Sequence, residues 1–412
     1  MRKKRVLQAA FGLENAVVEG VDVDEVAVAL IVSVRPTAKA RHWCGRCGRR
    51  SPGYDRGAGR RRWRALDLGT CRVFLEGDAS RVACRDHGPT VAAVPWARHG
   101  AGHTRDFDDQ AAWLAVHVSK SAVGALLRVA WRTVGAIVAR VGADIDAKVD
   151  RLDGLVRIGI DEISYKRGYR YLTVVVDHDS GRLVWAAPGR DTATLNGFFD
   201  ALGTERAARI THVTADMAGW IATVVAERAT NATLCIDAFH VIAWATDALD
   251  EVRRQVWNEA RRGGMSGLAD QLKGCRYALW RNPEDLTPRQ AGKLAWIAKV
   301  NTKLYRAYLM KEQLRLAIRT KGVLALAMLD DWLAWVQRCR IPAFVELGRK
   351  IRKNIAGIEA AMLNDLSNAL IESTNTKIRV LHRMAFGFAK PEHLIALALL
   401  DRGGYCPPLP GR

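Results

Sequence analysis

Long apolar runs are missing from this 412-residue chain: the best stretches, residues 26–34 and 394–400, fall well short of the ~18 uncharged apolar residues of a membrane span. No membrane partner is therefore expected. An apolar signal core is also lacking, because the basic start Met1-Arg-Lys-Lys-Arg5 leads into residues that alternate with acids. Cysteine is scarce: eight residues are too few for a disulfide scaffold, and Cys44-x-x-Cys47 in a reducing compartment points to metal instead. Acidic residues are the last shortage, with 43 Asp and Glu against 63 Lys and Arg, which leaves a formal charge of +20. A chain this basic is expected to meet a polyanion. The expected location is the cytoplasm, associated with the nucleoid.

What is present divides the chain. The first hundred residues read as basic strands, with alternating runs at 25–34 and 70–75 and turns rich in Gly and Arg. Residues 35–64 hold eleven basic residues against one acid, Asp55, which marks a charged surface. Helical spacing starts at Phe107 and runs through Trp113, Leu114 and Val116, then Val123, Leu126 and Leu127, then Val134, Ile137, Val138 and Val141. Three short helices fit that pattern. After Arg151, strand runs at 156–160, 171–176 and 183–187 predict a meander, the last two joined by a turn at 177–181. A helix at 195–202, a strand at 210–214, a helix at 220–228 and a strand at 233–236 then indicate a mixed-sheet α/β domain. From His240 to about residue 361 only helical patterns occur, rich in Lys, Arg, Trp and Tyr, and read as an insertion. A helix at 366–383 and a shorter one precede the Pro-rich tail at Pro407, with no internal repeat and no low-complexity linker.

Three constellations carry chemistry. Cys44-x-x-Cys47 and Cys84-x-x-His87, separated by 36 residues, make a closed Cys₃His set suited to tetrahedral zinc. The remaining cysteines lie singly and read as small core or surface residues. Residues 119–138 have the form of a helix-turn-helix, with the turn at Val129-Ala130 and a second helix opening on Trp131, Arg132 and Thr133, where base edges would be read. Three helices so spaced are also how any small helical subdomain packs. Asp161 follows the apolar run 156–160, where a strand tip would expose it, and Asp216 follows 210–215 in the same manner. Glu372 lies on the 366–383 helix, where Asn368, Asn375, Thr376 and Arg379 share its polar stripe and Ile371, Ile378 and Leu381 form the apolar face beside it. Singly, each acid reads as a solvated residue at an element end. Together, three carboxylates at two strand tips and a helix suit two Mg²⁺ ions acting on a phosphodiester.

The run IDEISYKRGYRYLTVVVDHDSGRLVW at 160–185 resembles the start of the catalytic domain of transposases of the bacterial ISL3 insertion-sequence family. GRDTATL at 189–195, VTADM at 213–217, IDAFHV at 236–241, ALDEVRR at 248–254 and LSNALIESTNTKIR at 366–379 continue the resemblance in order. It covers nearly the whole chain and implies an α/β, ribonuclease-H-like catalytic domain with an all-helical insertion, preceded by a zinc-binding module and a helix-turn-helix. The implied DDE triad is Asp161, Asp216 and Glu372, at spacings of 55 and 156 residues. Asp237-x-x-His240 resembles a second signature of such transposases, and two readings of it stand: a buried Asp capping the helix at His240, or a group that contacts DNA or orients metal. Two departures are His87, where relatives more often have Cys, and Ser373, where the family often has Gly.

The boundaries that follow are 1–104 for the zinc-binding module, 105–150 for the helix-turn-helix, 151–240 and 362–400 for the two parts of the catalytic domain, 241–361 for the insertion and 401–412 for the tail. The implied function is that of a DNA transposase that binds terminal inverted repeats, hydrolyses a phosphodiester at the element end and joins the 3′-OH to target DNA. Its cofactors would be Mg²⁺ or Mn²⁺ at the triad and Zn²⁺ at the N-terminal module. Its partner would be double-stranded DNA, contacted by Arg60, Arg61, Arg62, Trp131, Arg132, Thr133, Lys377 and Arg379, with a homo-oligomer assembling on it. The alternatives are a non-catalytic zinc and helix-turn-helix regulator, or a ribonuclease-H-like structure-specific nuclease that cleaves without strand transfer.

Overall fold

The computed structural model describes every residue except Met1, Asp216, Met217, Ala389 and Arg412, and leaves aside the side chains of residues 2–5 and 238. The chain divides into two compact units, Met1–Arg151 with Thr376–Arg412, and Leu152–Asn375.

In the first unit, helix α1 (Arg2–Ala10), which the apolar pattern does not foretell, precedes strands β1 (Ala16–Asp24), β2 (Ala29–Pro36), β3 (Gly53–Asp55), β4 (Arg60–Leu68), β5 (Cys71–Asp78), β6 (Arg81–Cys84) and β7 (Gly88–Val91). Two sheets form, in the orders β1-β2-β5-β4 and β3-β6-β7. Alternation buries Val32, Val34, Trp63, Val73 and Leu75 on one face of the larger sheet, where Trp96 meets Trp63 edge-on at 5.5 Å. Helices α2 (Arg105–His117), α3 (Lys120–Leu127) and α4 (Trp131–Asp146) then follow as the sequence predicts, and the C-terminal helix of the chain, Pro391–Arg402, packs on α4 and α2.

The second unit is built on β8 (Arg157–Lys166), β9 (Arg170–Asp177), β10 (Leu183–Pro188), β11 (His212–Ala215) and β12 (Thr233–Cys235), in the order β10-β9-β8-β11-β12. The β8-β9-β10 meander is antiparallel, while β11 runs parallel to both β8 and β12. Helices α5 (Thr192–Leu202), α6 (Thr204–Ala207) and α7 (Gly219–Arg228) link the later strands, and Phe198, Phe199, Ile221 and Val224 bury Ile158, Ile160 and Val175 beneath them. Gly159 faces the other side, where a Cβ would meet Val176 at 2.9 Å and both His178 and Thr214 at 3.1 Å. Only glycine fits that close approach.

Helix α8 (Ala238–Arg262) opens the insertion, which continues through α9 (Ser266–Lys273), α10 (Arg276–Trp280), α11 (Pro288–Val300), α12 (Thr302–Arg319), α13 (Val323–Gln337), α14 (Pro342–Lys353) and α15 (Ile355–Asn364). Its core centres on Trp332, whose indole N–H donates to the Met310 carbonyl at 2.7 Å, with Leu314, Phe344 and Ile351 around it. Helix α15 returns to the sheet: the Ile236 N–H bonds the Gly357 carbonyl at 3.1 Å, and a Cβ on Gly357 would strike the Leu234 carbonyl. Helix α16 (Ala369–Met384) follows, and α17 (Pro391–Arg402) closes the chain.

Candidate active site and metal centre

The four predicted zinc ligands converge. Cys44 and Cys47 sit on one tight turn, Cys84 and His87 on the hairpin between β6 and β7, and all four ligand atoms lie within 4.8 Å of one another. Each turn ends on a glycine in left-handed backbone, Gly48 at φ +66° and Gly88 at φ +62°, which lets the chain reverse directly after its second ligand. For zinc at about 2.3 Å from sulfur and about 2.0–2.1 Å from nitrogen, tetrahedral edges are about 3.8 Å (S···S) and about 3.6 Å (S···N). Here Cys47 and Cys84 are 3.7 Å apart, and the His87 Nδ1 is 3.7 Å from Cys44 and 3.6 Å from Cys84. The residues fit the ion. The His87 ring and then the Asp86 backbone N–H hold the Cys84 thiol down at about 6, which favours the thiolate a metal needs. Arg49 and Asp86 bridge the two turns at 2.8 Å.

The helix-turn-helix is tightly specified at its turn. A Cβ on Gly124 would lie 2.8 Å from the Val129 carbonyl, so only glycine lets the turn fold back on α3. Arg128 takes left-handed backbone, φ +54°, and its guanidinium reaches Asp67 at 2.9 Å and the Thr70 carbonyl at 3.1 Å, which ties the turn to the β4–β5 connection. At the start of α4, Trp131 is 55% exposed, Arg132 is exposed with its guanidinium 5.4 Å from the Trp131 ring, and Thr133 is half-buried. Arg60 and Arg62 share Glu76 at 2.9 and 2.7 Å, whereas Arg61 lies on the opposite side of the strand against Trp63 and the Ala101 carbonyl. The three consecutive arginines therefore do not form one patch, because a strand turns alternate side chains to opposite faces. Lys377 faces Asp401 at 3.7 Å, and Arg379 is exposed.

Asp161 is not at a strand tip, as the apolar run had implied. β8 continues to Lys166 because β9 supplies a ladder partner as far as Arg170. On its other edge the described ladder with β11 reaches Ile160 opposite Ala215, so the residues just before Asp161 and Asp216 are paired. Asp216 itself lies outside the described residues. Glu372 is an exposed side chain in the first turn of α16, and its backbone N–H bonds the Asn368 carbonyl at 2.8 Å. It forms no ion pair among the described residues, in a chain where cations are in excess.

Two long-range hydrogen bonds hold the helix of Glu372. The Asn375 side-chain N–H donates to Asp161 Oδ2 at 2.6 Å across 214 residues of sequence. The Asn368 backbone N–H donates to Asp237 Oδ2 at 2.9 Å, while Asp237 Oδ1 accepts the Phe239 N–H at 2.9 Å. Asp237 is thus the cap of α8 and also an anchor for the segment that leads into Glu372; the helix opens at Ala238, ahead of His240.

Comparison with known proteins decides the family. Residues 158–398 match the ISL3 family described as transposase, residues 92–142 match the helix-turn-helix domain of transposase family ISL3, and residues 40–87 match the zinc-finger of transposase IS204/IS1001/IS1096/IS1165. The chain belongs to the ISL3 transposase family. Transposases for insertion sequence element IS1557 from two Mycobacterium tuberculosis strains, CDC 1551 / Oshkosh and ATCC 25618 / H37Rv, are each 58% identical over 436 residues, covering 100% of this chain and 98% of theirs. The transposase for IS1001 of Bordetella parapertussis is 26% identical over 398 residues, covering 95% of this chain and 97% of its own.

Within this family member, sequence reasoning gave no separate part to Asn375. Its signal was there: an amide three residues after Glu372, placed between apolar positions, is 2% exposed. His178 was overlooked as well. Its Nε2 lies 2.8 Å from the Thr214 hydroxyl, over Gly159, on the face of β8 that also carries Asp161. Burial lowers its pKa below the ordinary histidine value, so it stays neutral at pH 7.

Proposed function

We propose that this transposase binds the terminal inverted repeats of its insertion sequence and performs hydrolysis and 3′-OH strand transfer with the triad Asp161, Asp216 and Glu372 on a ribonuclease-H-like domain. The observation that carries the reading is the Asn375–Asp161 hydrogen bond, which brings the helix of Glu372 to the strand of Asp161. The sheet order β10-β9-β8-β11-β12, with the parallel pair in register up to the residues before the two aspartates, supports the fold assignment.

The triad offers hard carboxylate oxygens of the kind that hold Mg²⁺ or Mn²⁺, which when bound activates a water or a 3′-OH for in-line attack and steadies the leaving oxygen. The chain's own contribution is position. Asn375 and the Glu162 backbone N–H, which donates at 2.7 Å, aim the Asp161 carboxylate. Asp237 fixes the start of the segment that carries Glu372. Zinc belongs to the N-terminal module, where Cys44, Cys47, Cys84 and His87 would hold it, and the helix-turn-helix presents Trp131, Arg132 and Thr133 to base edges. Arg60 and Arg62 from one face of their strand, Arg61 from the other, and Lys377 and Arg379 are assigned to the DNA backbone, and a homo-oligomer assembles on the paired ends. The domain limits at 104, 150, 240, 361 and 400 stand as part of this proposal.

The test is Mg²⁺-dependent nicking and strand transfer with a duplex carrying the element's end. The purified chain should nick at the end and join the 3′-OH to target DNA. Binding without cleavage would favour a regulator, and cleavage without joining a structure-specific nuclease.

A further inference from the structure

The β8–β9 hairpin runs on well past the candidate site. From Asp161 the strand continues for five residues to Lys166, about 17 Å at ~3.4 Å per residue, before the turn Arg167-Gly168-Tyr169 returns it at Arg170. Three features of this tip need explaining. Lys166, Arg167 and Arg170 are exposed, and among the described residues their side chains make no hydrogen bond or ion pair. Around the same sheet, by contrast, Arg157 pairs with Asp179, Arg190 with Glu162 at 3.1 Å and Arg228 with Asp200 at 2.6 Å. No acid occurs between Glu162 and Asp177, so the tip is uniformly cationic.

The third feature is Tyr169. It is 90% exposed, touches no other ring among the described residues, and sits in left-handed backbone at φ +57° directly after Gly168 at φ +83°. A large aromatic side chain there gains almost no packing among the described residues and carries the cost of left-handed backbone that glycine would avoid. Such a residue fits a contact made outside the chain. Cations without partners beside an aromatic ring are the combination that grips nucleic acid, phosphates by charge and a nucleotide by stacking.

Resting on the transposase reading, we propose that this hairpin is a DNA-gripping arm. Lys166, Arg167 and Arg170 hold phosphates, and Tyr169 lies against a nucleotide within about five base-pair steps of the scissile phosphate, the distance the arm spans at ~3.4 Å per step.

The experiment uses the full chain and a duplex of the element's end with flanking DNA. The triple variant Lys166→Ala, Arg167→Ala, Arg170→Ala should flatten the slope of log K against log[salt] by about 2–3, near 0.9 per lost phosphate contact, and reduce nicking in proportion. Tyr169→Gly relieves the backbone, so its melting temperature should equal or exceed that of wild type while nicking falls at least about fivefold; Tyr169→Phe should restore it. A photo-crosslinking amino acid at position 169 should mark a nucleotide close to the cleavage point. An unchanged salt slope with wild-type nicking, or a crosslink to a second copy of the chain instead of DNA, overturns the arm. Failure of the transposase reading is distinct: the unmodified chain would then show no Mg²⁺-dependent nicking, while the salt slope would still report on the arm.

Discussion

Replacing Asn375 by Ala removes the N–H that fixes Asp161 Oδ2 at 2.6 Å. Side chains that orient a ligand carboxylate from behind typically cost 10–100-fold in metal affinity or activity when lost. Asn375→Ala should therefore nick about 10–100-fold more slowly, need more Mg²⁺ for half-maximal rate and bind DNA as before; a Mg²⁺ titration that overlays wild type would show the bond to be idle. Lys120 offers a second test at this scale. It opens α3, is 8% exposed, and holds its ammonium 3.6 Å over the Phe388 ring. Burial lowers its pKa from 10.5 to about 8. Between those values the unfolded chain binds more protons than the folded one, so stability rises with pH across that window, and below it the cost of the buried charge is fully present. Lys120→Met should raise the melting temperature at pH 7 by more than at pH 10.5. An equal shift at both would mean that charge burial is not the cause. Lys120 was not legible as a strained position, because a ring from the far end of the chain leaves no local pattern; Asn375 was visible as an amide on the stripe of Glu372, but its partner 214 residues away was not.

The zinc turns and the helix-turn-helix were readable as elements because their demands are local: paired ligands, and apolar residues three and four apart. Chelation should release about one zinc per chain and lower the melting transition of the first unit while the transition of the second stays in place, since a module this small draws its folding energy from the metal. Two calorimetric transitions that move together under chelator would contradict that independence. Strand limits were less readable. The run Asp-Glu-Ile-Ser-Tyr-Lys at 161–166 lacks an apolar stretch, and its strand character comes from pairing with β9, which no window of β8 alone contains. The same ladder geometry separates Arg61 from Arg60 and Arg62, a division invisible in a run of three identical residues. The two readings of Asp237 were unresolved by its motif, and the oxygen that accepts the Asn368 N–H gives it a structural task toward Glu372 in addition to capping.

Across the whole molecule, a net charge of +20 makes binding to DNA easy and specificity the harder property, so recognition and chemistry should be separable by mutation. Asp161→Ala or Glu372→Ala deletes a carboxylate, which should abolish nicking and strand transfer while binding to the inverted repeat persists. Affinity should hold or rise when metal is left out, because removing a negative charge beside a polyanion lessens repulsion. Arg132→Ala with Thr133→Ala should do the opposite. Specific binding should weaken by about 1–3 kcal/mol per lost base contact, yet cleavage of a complex formed at high protein concentration should proceed at a near-normal rate. The start of α4 belongs to the first compact unit, whereas Asp161 and Glu372 belong to the second. Gel-shift titrations and nicking assays on the same variants decide it. Equal loss of binding and cleavage in both sets would mean that one surface performs both tasks, and the assignment of base reading to Arg132 and Thr133 would fall.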